Sequence, residues 1–264
     1  MPELPEVETI RRMLEPRLAR RRILKAEFYD RRVLCGDPLE TAACLRGQRI
    51  ASVGRRAKHL LLELEGDLTL TIHLGMTGSL LWGATRTAHT RARFVLDEGR
   101  LLYDDPRMFG RIELCEALPE RVARLGPEPL EIKPAEFVAR LLARRAMIKP
   151  LLLNQTFLGG LGNIYSDEAL FRAGIHPRAI ATRLSKKRAR RLHGAIRRVL
   201  RAAIAAGGTT ISDYADAEGQ PGGFQVRLRV YGREGEPCPR CHAPIRRTVV
   251  GQRGTYFCGR CQRK

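Results

Sequence analysis

Apolar positions change period along this chain of 264 residues. Over 3–19 they fall at Val7, Ile10, Leu14 and Leu18, spaced i, i+3, i+7, i+11, which predicts a helix with one buried face. Glu3 and Glu6 occupy its first turn, where the helix dipole tolerates acids. From 22 to 117 the pattern becomes short β-branched and leucine-rich runs separated by glycine-containing turns: Ile50–Val53, Leu60–Leu64, Leu68–His73, Arg93–Leu96, Leu101–Tyr103 and Arg111–Leu114. These runs predict a β-sandwich. Pro119, Pro127, Pro129 and Pro134 break up 118–134, which reads as an interdomain linker. Helical periodicity returns from 135 to 206. Its last stretch, 186–206, carries an apolar stripe of Leu192, Ile196, Val199 and Ala203 surrounded by lysines and arginines. Leu161-Gly162-Asn163-Ile164-Tyr165 is a turn entering a helix, whose backbone N–H groups suit a phosphate. The class is α+β, with at least two domains.

The C-terminus adds a motif. Cys238 and Cys241, then sixteen residues, then Cys258 and Cys261 give C-x2-C-x16-C-x2-C, the spacing of a four-cysteine zinc ribbon with a hairpin between two knuckles. One structural zinc ion is expected, with no open coordination position, and His242 is read as a surface residue. Cys35, Cys44 and Cys115 stand alone and are expected to be buried as small hydrophobes.

Charge narrows the partner. Forty-eight Lys and Arg against twenty-eight Asp and Glu give a net charge of +20, the footprint of a polyanion-binding protein. Nucleic acid is the expected partner, and a membrane is not: no apolar run approaches the roughly 20 residues of a spanning helix. Cysteines in zinc spacing suggest the cytosol or nucleoid, and a monomer is expected.

At the other end, Met1 precedes Pro2-Glu3. Excision of Met1 would leave Pro2 with a free secondary amine. An α-amino group titrates near 7.7–8.0 on average, so a fraction is neutral and nucleophilic at pH 7. Attack on an aldehyde-like carbon gives an iminium, an electron sink. The plainer reading of Pro2 and Pro5 is that proline commonly opens a helix.

The motifs PELPEVET (2–9), HLGMTGSL (73–80), DPRMFG (105–110), GLGNIYSDEALF (160–171), GGTT (207–210), VYGREGEPC (230–238) and the four-cysteine tail, in this order, resemble the Fpg/MutM family of formamidopyrimidine-DNA glycosylases. The resemblance spans essentially the whole chain. It implies an N-terminal helix and β-sandwich (1–117), a helix-two-turn-helix domain (135–232) and a zinc ribbon (233–264). It also implies a bifunctional glycosylase and AP lyase acting on oxidised purines such as 8-oxoguanine. By the same resemblance Pro2 is the Schiff-base nucleophile and Glu3 the acid/base. Lys58 and Arg253 contact phosphate and assist elimination. Met76, Arg107 and Phe109 fill the gap left by the flipped nucleotide, and Asn163, His89, Lys149 and, more weakly, His73 contact DNA. The glycine-bearing segment 213–224 matches a mobile loop that caps the everted base. Asn154-Gln155-Thr156 departs from a D-N-K motif carried by some members, so no role of that lysine transfers. Two other readings stay open: a Nei-type preference for oxidised pyrimidines, against which Leu4 argues because Nei proteins usually open PEGPEI, and a zinc-ribbon DNA-binding protein without catalysis.

Overall fold

The computed structural model describes residues 2–264. Two compact units emerge. The first comprises the chain up to Arg124 together with Ile204–Gln225; the second comprises Leu125–Ala203 and Val226–Lys264. The second passage through the first unit is a departure from the expected domain plan, which placed 204–225 in the helical domain. Its cause is packing: Tyr214 and Ala217 lie in the hydrophobic core of the first unit, and Trp82 N–H donates to Ala217 O at 2.8 Å.

The first unit begins with α1 (Leu4–Leu18), whose Val7, Ile10, Leu14 and Leu18 are all buried as the period required. Pro16 lies inside its last turn, at a cost of about 3 kcal/mol for an interior proline. Burial of Leu14 and Leu18 offsets this, at roughly 1.5–3 kcal/mol for each side chain. Beneath α1 lies the sandwich. A five-stranded sheet runs in the order β2 (Leu34–Cys35), β9 (Arg111–Cys115), β5 (Thr69–His73), β4 (His59–Leu64), β3 (Ile50–Arg56). A four-stranded sheet runs β1 (Ile23–Phe28), β7 (Thr90–Leu96), β8 (Arg100–Asp104), β6 (Ser79–Trp82). One core joins α1 to residues of both sheets, among them Leu62, Ile72, Phe94 and Tyr103.

Two helices interrupt segments expected to be strand or linker. Helix α2 (Pro38–Leu45) starts because Asp37 accepts from Leu39 and Glu40 N–H while Pro38 presets the first turn. A single turn, α3 (Glu120–Ala123), follows Pro119 and buries Val122. The isolated cysteines are not the buried hydrophobes expected. Cys44 is exposed, and Cys35 and Cys115 are half-buried, because α2 buries Thr41 and Leu45 instead and β2 and β9 are open at these positions.

The second unit contains α4 (Pro134–Leu142), α5 (Ile148–Leu153), α6 (Asn163–Ala173) and the long α7 (Lys186–Ala205), which ends within the first unit's returning segment. The hairpin β10 (Ile245–Val250) and β11 (Arg253–Cys258) turns through Gly251 and Gln252, both at positive φ, the signature of a two-residue hairpin turn. Phe171, Val230 and Ile245 pack with Cys238 and Cys258 into a small core of their own.

Register places a row of basic residues across one end of the five-stranded sheet: Arg56 faces His59, His59 faces His73, and His73 faces Arg111. Burial, reinforced by Arg121 and Lys58, pushes His59 down to about 4. Burial and the neighbouring His59 push His73 down to about 3. Both rings are therefore neutral in the fold at pH 7, with His73 Nδ1 accepting from Gly75 N–H. Because both folded values lie below the unfolded value of about 6.5, their contribution to stability is complete above that pH. It is lost as pH falls toward 4 and then 3, by up to about 1.4 kcal/mol per histidine for each pH unit. The melting temperature should drop more steeply below pH 6 in the natural protein than in His59→Gln; parallel pH profiles of the two proteins would refute the buried-neutral pair.

Candidate active site and nucleic-acid interface

Pro2 and Glu3 lie at the start of α1 and both are buried. Removal of Met1 falls outside the described residues. Glu3 is the N-cap, and its N–H donates to Glu6 Oε2 at 2.8 Å. The other oxygen of Glu6 accepts from Thr209 N–H at 2.8 Å. One carboxylate thus joins the start of the chain to the GGTT turn at the base of the 213–224 loop. That loop is anchored along its length: Thr210 Oγ1 donates to Tyr214 O and accepts from Gly222 N–H, and Glu218 pairs with Arg17.

A second carboxylate fixes the neighbouring catalytic candidate. Glu8 binds Arg11, Arg12 and Arg55, the last at 3.0 Å, and Arg55 Nη1 donates to Ala57 O at 2.9 Å. Burial works against the charge of Glu8, but the hydrogen bonds from the three guanidiniums win and hold its carboxyl below the usual range. Ala57 sits at φ 51 in the β3–β4 turn, which delivers Lys58 as a buried residue, not the solvated lysine common between strands. The start of α1 and the Lys58 turn are therefore positioned by one ion cluster.

The proposed gap-filling residues occupy two adjoining loops. Met76 and Phe109 are 40% and 57% exposed, although both are large and apolar. The Arg107 guanidinium carbon stands 4.8 Å from the centre of the Phe109 ring. Asp105, fully buried, holds the loops together: Oδ1 accepts from Thr77 Oγ1 at 2.6 Å and Oδ2 from Gly110 N–H at 2.8 Å. Gly75 is pressed against the backbone of Phe109 and Gly110, and a Cβ on Gly110 would collide with the Tyr103 hydroxyl, so both positions require glycine. His89 is exposed on the β6–β7 connection, where its O accepts from Asp105 N–H.

In the second unit, Asn163 opens α6 with Gly162 as N-cap, and its Nδ2 donates to Gly254 O at 3.0 Å. Asn163 Oδ1 is buried without a partner among the described residues. Arg253, beside Gly254 at the hairpin tip, is exposed. Lys149 differs from expectation. Its side chain is 0% exposed, and Nζ is bonded to Asp167 Oδ1 at 2.7 Å and to Gly254 O at 3.1 Å. Asp167 Oδ2 accepts from Tyr256 N–H at 2.9 Å. Lys149 is thus a tie between α5, α6 and β11, not an open phosphate ligand, because burying its charge demands these partners. Burial lifts the Asp167 carboxyl above its usual range, with Lys149 and the Tyr256 N–H pulling the other way. Next to it, Glu168 Oε1 accepts from three consecutive N–H groups, Arg229, Val230 and Tyr231, docking the chain that leads into the ribbon.

The four sulfurs of Cys238, Cys241, Cys258 and Cys261 lie within 4.8 Å of one another, with Cys238–Cys261 at 3.8 Å and Cys241–Cys258 at 3.5 Å. A tetrahedron with zinc–sulfur bonds of about 2.3 Å has edges of about 3.8 Å, so the donor set fits one structural zinc. His242 is exposed, as expected.

Residues 1–112 match the formamidopyrimidine-DNA glycosylase N-terminal domain, 125–215 the formamidopyrimidine-DNA glycosylase H2TH domain, and 235–263 a zinc finger found in FPG and IleRS. The chain is 55% identical to the formamidopyrimidine-DNA glycosylase of Solibacter usitatus over 265 residues, covering 100% of both. It belongs to the formamidopyrimidine-DNA glycosylase family. Among solved structures, MutM (FPG) of Thermus thermophilus superimposes with a TM-score of 0.89 at 45% identity, covering 99% of this chain and 98% of that one. A Lactococcus lactis FPG mutant in complex with Fapy-dG-containing DNA gives 0.92 at 38% identity, with complete coverage of both chains. No helix among the described residues is long and apolar enough to cross a membrane.

Family motifs pointed to the residues that would touch DNA, but not to those that hold them. Glu6, Glu8, Arg55, Asp105 and Asp167 emerge only from their contacts. The one local signal was Asp105 preceding Pro106 in a glycine-closed turn. At the departed D-N-K position, Thr156 is occupied locally, its N–H and hydroxyl both donating to Asn154 Oδ1.

The Lys149–Asp167 tie gives a prediction of definite sign. Asp167→Asn removes the carboxylate charge opposite the buried Lys149 ammonium, costing about 3 kcal/mol of stability, and weakens duplex binding by loosening the Gly254 turn. Were Lys149 itself a phosphate ligand, the same substitution would release it and tighten binding, which a titration of duplex against both proteins decides.

Proposed function

We propose that this chain is a base-excision repair glycosylase and AP lyase that removes oxidised purines, 8-oxoguanine and formamidopyrimidines, from duplex DNA. The observation that carries the reading is the buried Pro2-Glu3 pair at the start of α1, held by Glu6. With Met1 removed, the neutral Pro2 amine attacks C1′ of the everted nucleotide, the base departs, and an iminium links enzyme to sugar. Glu3 serves as acid/base, protonating the ring oxygen so that the sugar opens. The iminium acidifies the adjacent sugar hydrogens, and successive β- and δ-eliminations expel the 3′ and 5′ phosphates. Lys58 and Arg253 serve those phosphates. Met76 and Phe109 enter the stack as apolar wedges while Arg107 donates to the estranged base, which prevents the flipped nucleotide from returning.

Asn163 meets backbone phosphate through the open end of α6, and His89 adds a contact at the rim. Lys149 acts from behind, by holding Gly254 beneath Asn163 and Arg253. Zinc contributes fold alone, since all four positions are taken by cysteine. The bacterial cytoplasm is the proposed compartment, in keeping with the bacterial relatives.

Borohydride trapping on a duplex with one 8-oxoguanine opposite cytosine, followed by mass spectrometry of the linked peptide, tests the mechanism. A cross-link at Pro2 is expected in the natural protein. Glu3→Gln should retain duplex affinity and lose turnover. Absence of a cross-link from protein shown to begin at Pro2 would overturn the Schiff-base route, and trapping on oxidised-pyrimidine duplexes alone would overturn the purine preference.

Chelation of zinc should unfold the ribbon, detected as loss of duplex binding restored by added zinc; undiminished binding by the metal-free protein would remove the ribbon from the interface.

A further inference from the structure

Helix α7 carries eight lysines and arginines, Lys186, Lys187, Arg188, Arg190, Arg191, Arg197, Arg198 and Arg201, and no acidic residue. None of them forms an ion pair among the described residues, so the helix presents uncompensated charge along roughly 30 Å at 1.5 Å per residue. The second unit gathers more of this charge at the C-terminal end of α6. There Arg172, Arg229 and Arg240, with Phe171 and Pro239, line a cleft of about 230 Å³. The Arg191 guanidinium lies against Gly174, the C-cap of α6. Arg191 and Arg198, seven residues apart on α7, share one exposed face.

Two of these cations have structural employment. Arg240 donates to Phe171 O and Arg172 O, closing the end of α6, and Arg188 donates to Arg263 O and Lys264 O. Among the described residues, Arg172, Arg191, Arg198 and Arg229 have no such use. Arg172 Nε is buried without a hydrogen-bond partner among the described residues. Arg172 is held below its ordinary range, first by burial and then by Arg229, Arg198 and Arg240, with Glu168 alone opposing. Glu168 cannot neutralise four guanidiniums, and its Oε1 is already committed to three backbone N–H groups. Such a cluster is stable when a polyanion shares it.

The cluster is separate from the lesion-facing residues of the same unit. Asn163 and Gly254 meet at the first residue of α6, whereas Arg172 lies nine residues on, about 13 Å along the axis. Arg240 sits on the first zinc knuckle, at the opposite end of the ribbon from the hairpin tip that carries Arg253.

We infer that the face built from α7 and the Arg172–Arg229–Arg240 cleft is a second duplex-DNA site, binding the phosphate backbone of another DNA segment while the Asn163–Arg253 face holds the first. Charge without apolar anchors favours DNA over an acidic protein. Protein interfaces centre on buried aromatic or aliphatic residues, and no large exposed hydrophobic lies on α6 or α7 among the described residues. Backbone phosphates require only the cations.

The test is capture of a labelled lesion-free 30-base-pair duplex by a second such duplex immobilised on a surface, bridged by the zinc-loaded full chain. Because neither duplex is damaged, the readout is independent of the Pro2 chemistry. The natural protein should bridge at one chain per pair of duplexes and lose bridging as salt rises. Arg191→Glu/Arg198→Glu/Arg229→Glu should lower capture about tenfold or more, each reversal removing a phosphate contact with a salt slope of about −0.9. The same triple variant should keep its zinc and its single-turnover base release on a 14-base-pair lesion duplex, showing that the fold survives. No bridging by the natural protein, bridging unchanged in the triple variant, or bridging that needs two chains would overturn the inference. So would binding of poly-glutamate at this face without capture of duplex, which would make the occupant an acidic protein.

Discussion

Glu6 is the carboxylate on which the site in the first unit depends. One oxygen holds the amide of Glu3 and the other the amide of Thr209, 203 residues later. Both bonds are charge-assisted and buried, and so are roughly twice as strong as neutral ones. They also set direction: the N–H of Glu3 can satisfy Glu6 only when α1 begins where it does, and the loop after Thr209 can start only from that point. The return of Ile204–Gln225 into the first unit is the topological consequence, and it brings the loop proposed to cap the base onto the body that carries the proposed nucleophile.

The same device recurs wherever a residue proposed to meet DNA is positioned. Glu8 holds Arg55 under the Lys58 turn, Asp105 clasps the Met76 and Phe109 loops, Asp167 and Lys149 hold Gly254, and Glu168 gathers three amides at the entry to the ribbon. Burying charge is expensive, and a buried pair contributes little net stability against a well-packed apolar alternative. What it contributes is geometry, because the charge tolerates only the partners that satisfy it. In a protein of net charge +20 the acids are scarce, and two of the buried ones, Glu8 and Asp167, fasten basic residues while others hold backbone N–H groups.

This division of labour explains the surface. Acids drawn into the interior leave α7 without an ion pair among the described residues and the far end of α6 with Glu168 alone against its arginines. Met76 and Phe109 in the first unit and Arg253 in the second are likewise exposed and left unmatched by the protein itself. Exposed apolar wedges and unpaired cations are unfavourable in isolation and become favourable against stacked bases and phosphates.

Much was legible in the sequence because it rests on local physics. The α1 stripe, six of the strands, the turn into α6 and the four cysteines follow from period, turn residues and ligand spacing, and the family motifs marked the residues proposed to meet DNA. Even α2 had a readable start in Asp37-Pro38, hidden because strand-like runs surround it. Three outcomes belonged to tertiary structure alone. Lys149 reads as a DNA contact and Lys58 as a phosphate contact, yet both are buried; Cys44 reads as a buried thiol but is exposed; and 204–225 reads as part of the helical domain but packs with the sandwich. Each turns on which distant group arrives: Asp167 and Gly254 for Lys149, Glu6 and the core around Tyr214 for the loop. Periodicity and spacing record which face of an element is apolar, whereas the pairing of a charge with a partner a hundred residues away is decided only when the elements pack, since only then is water removed from both.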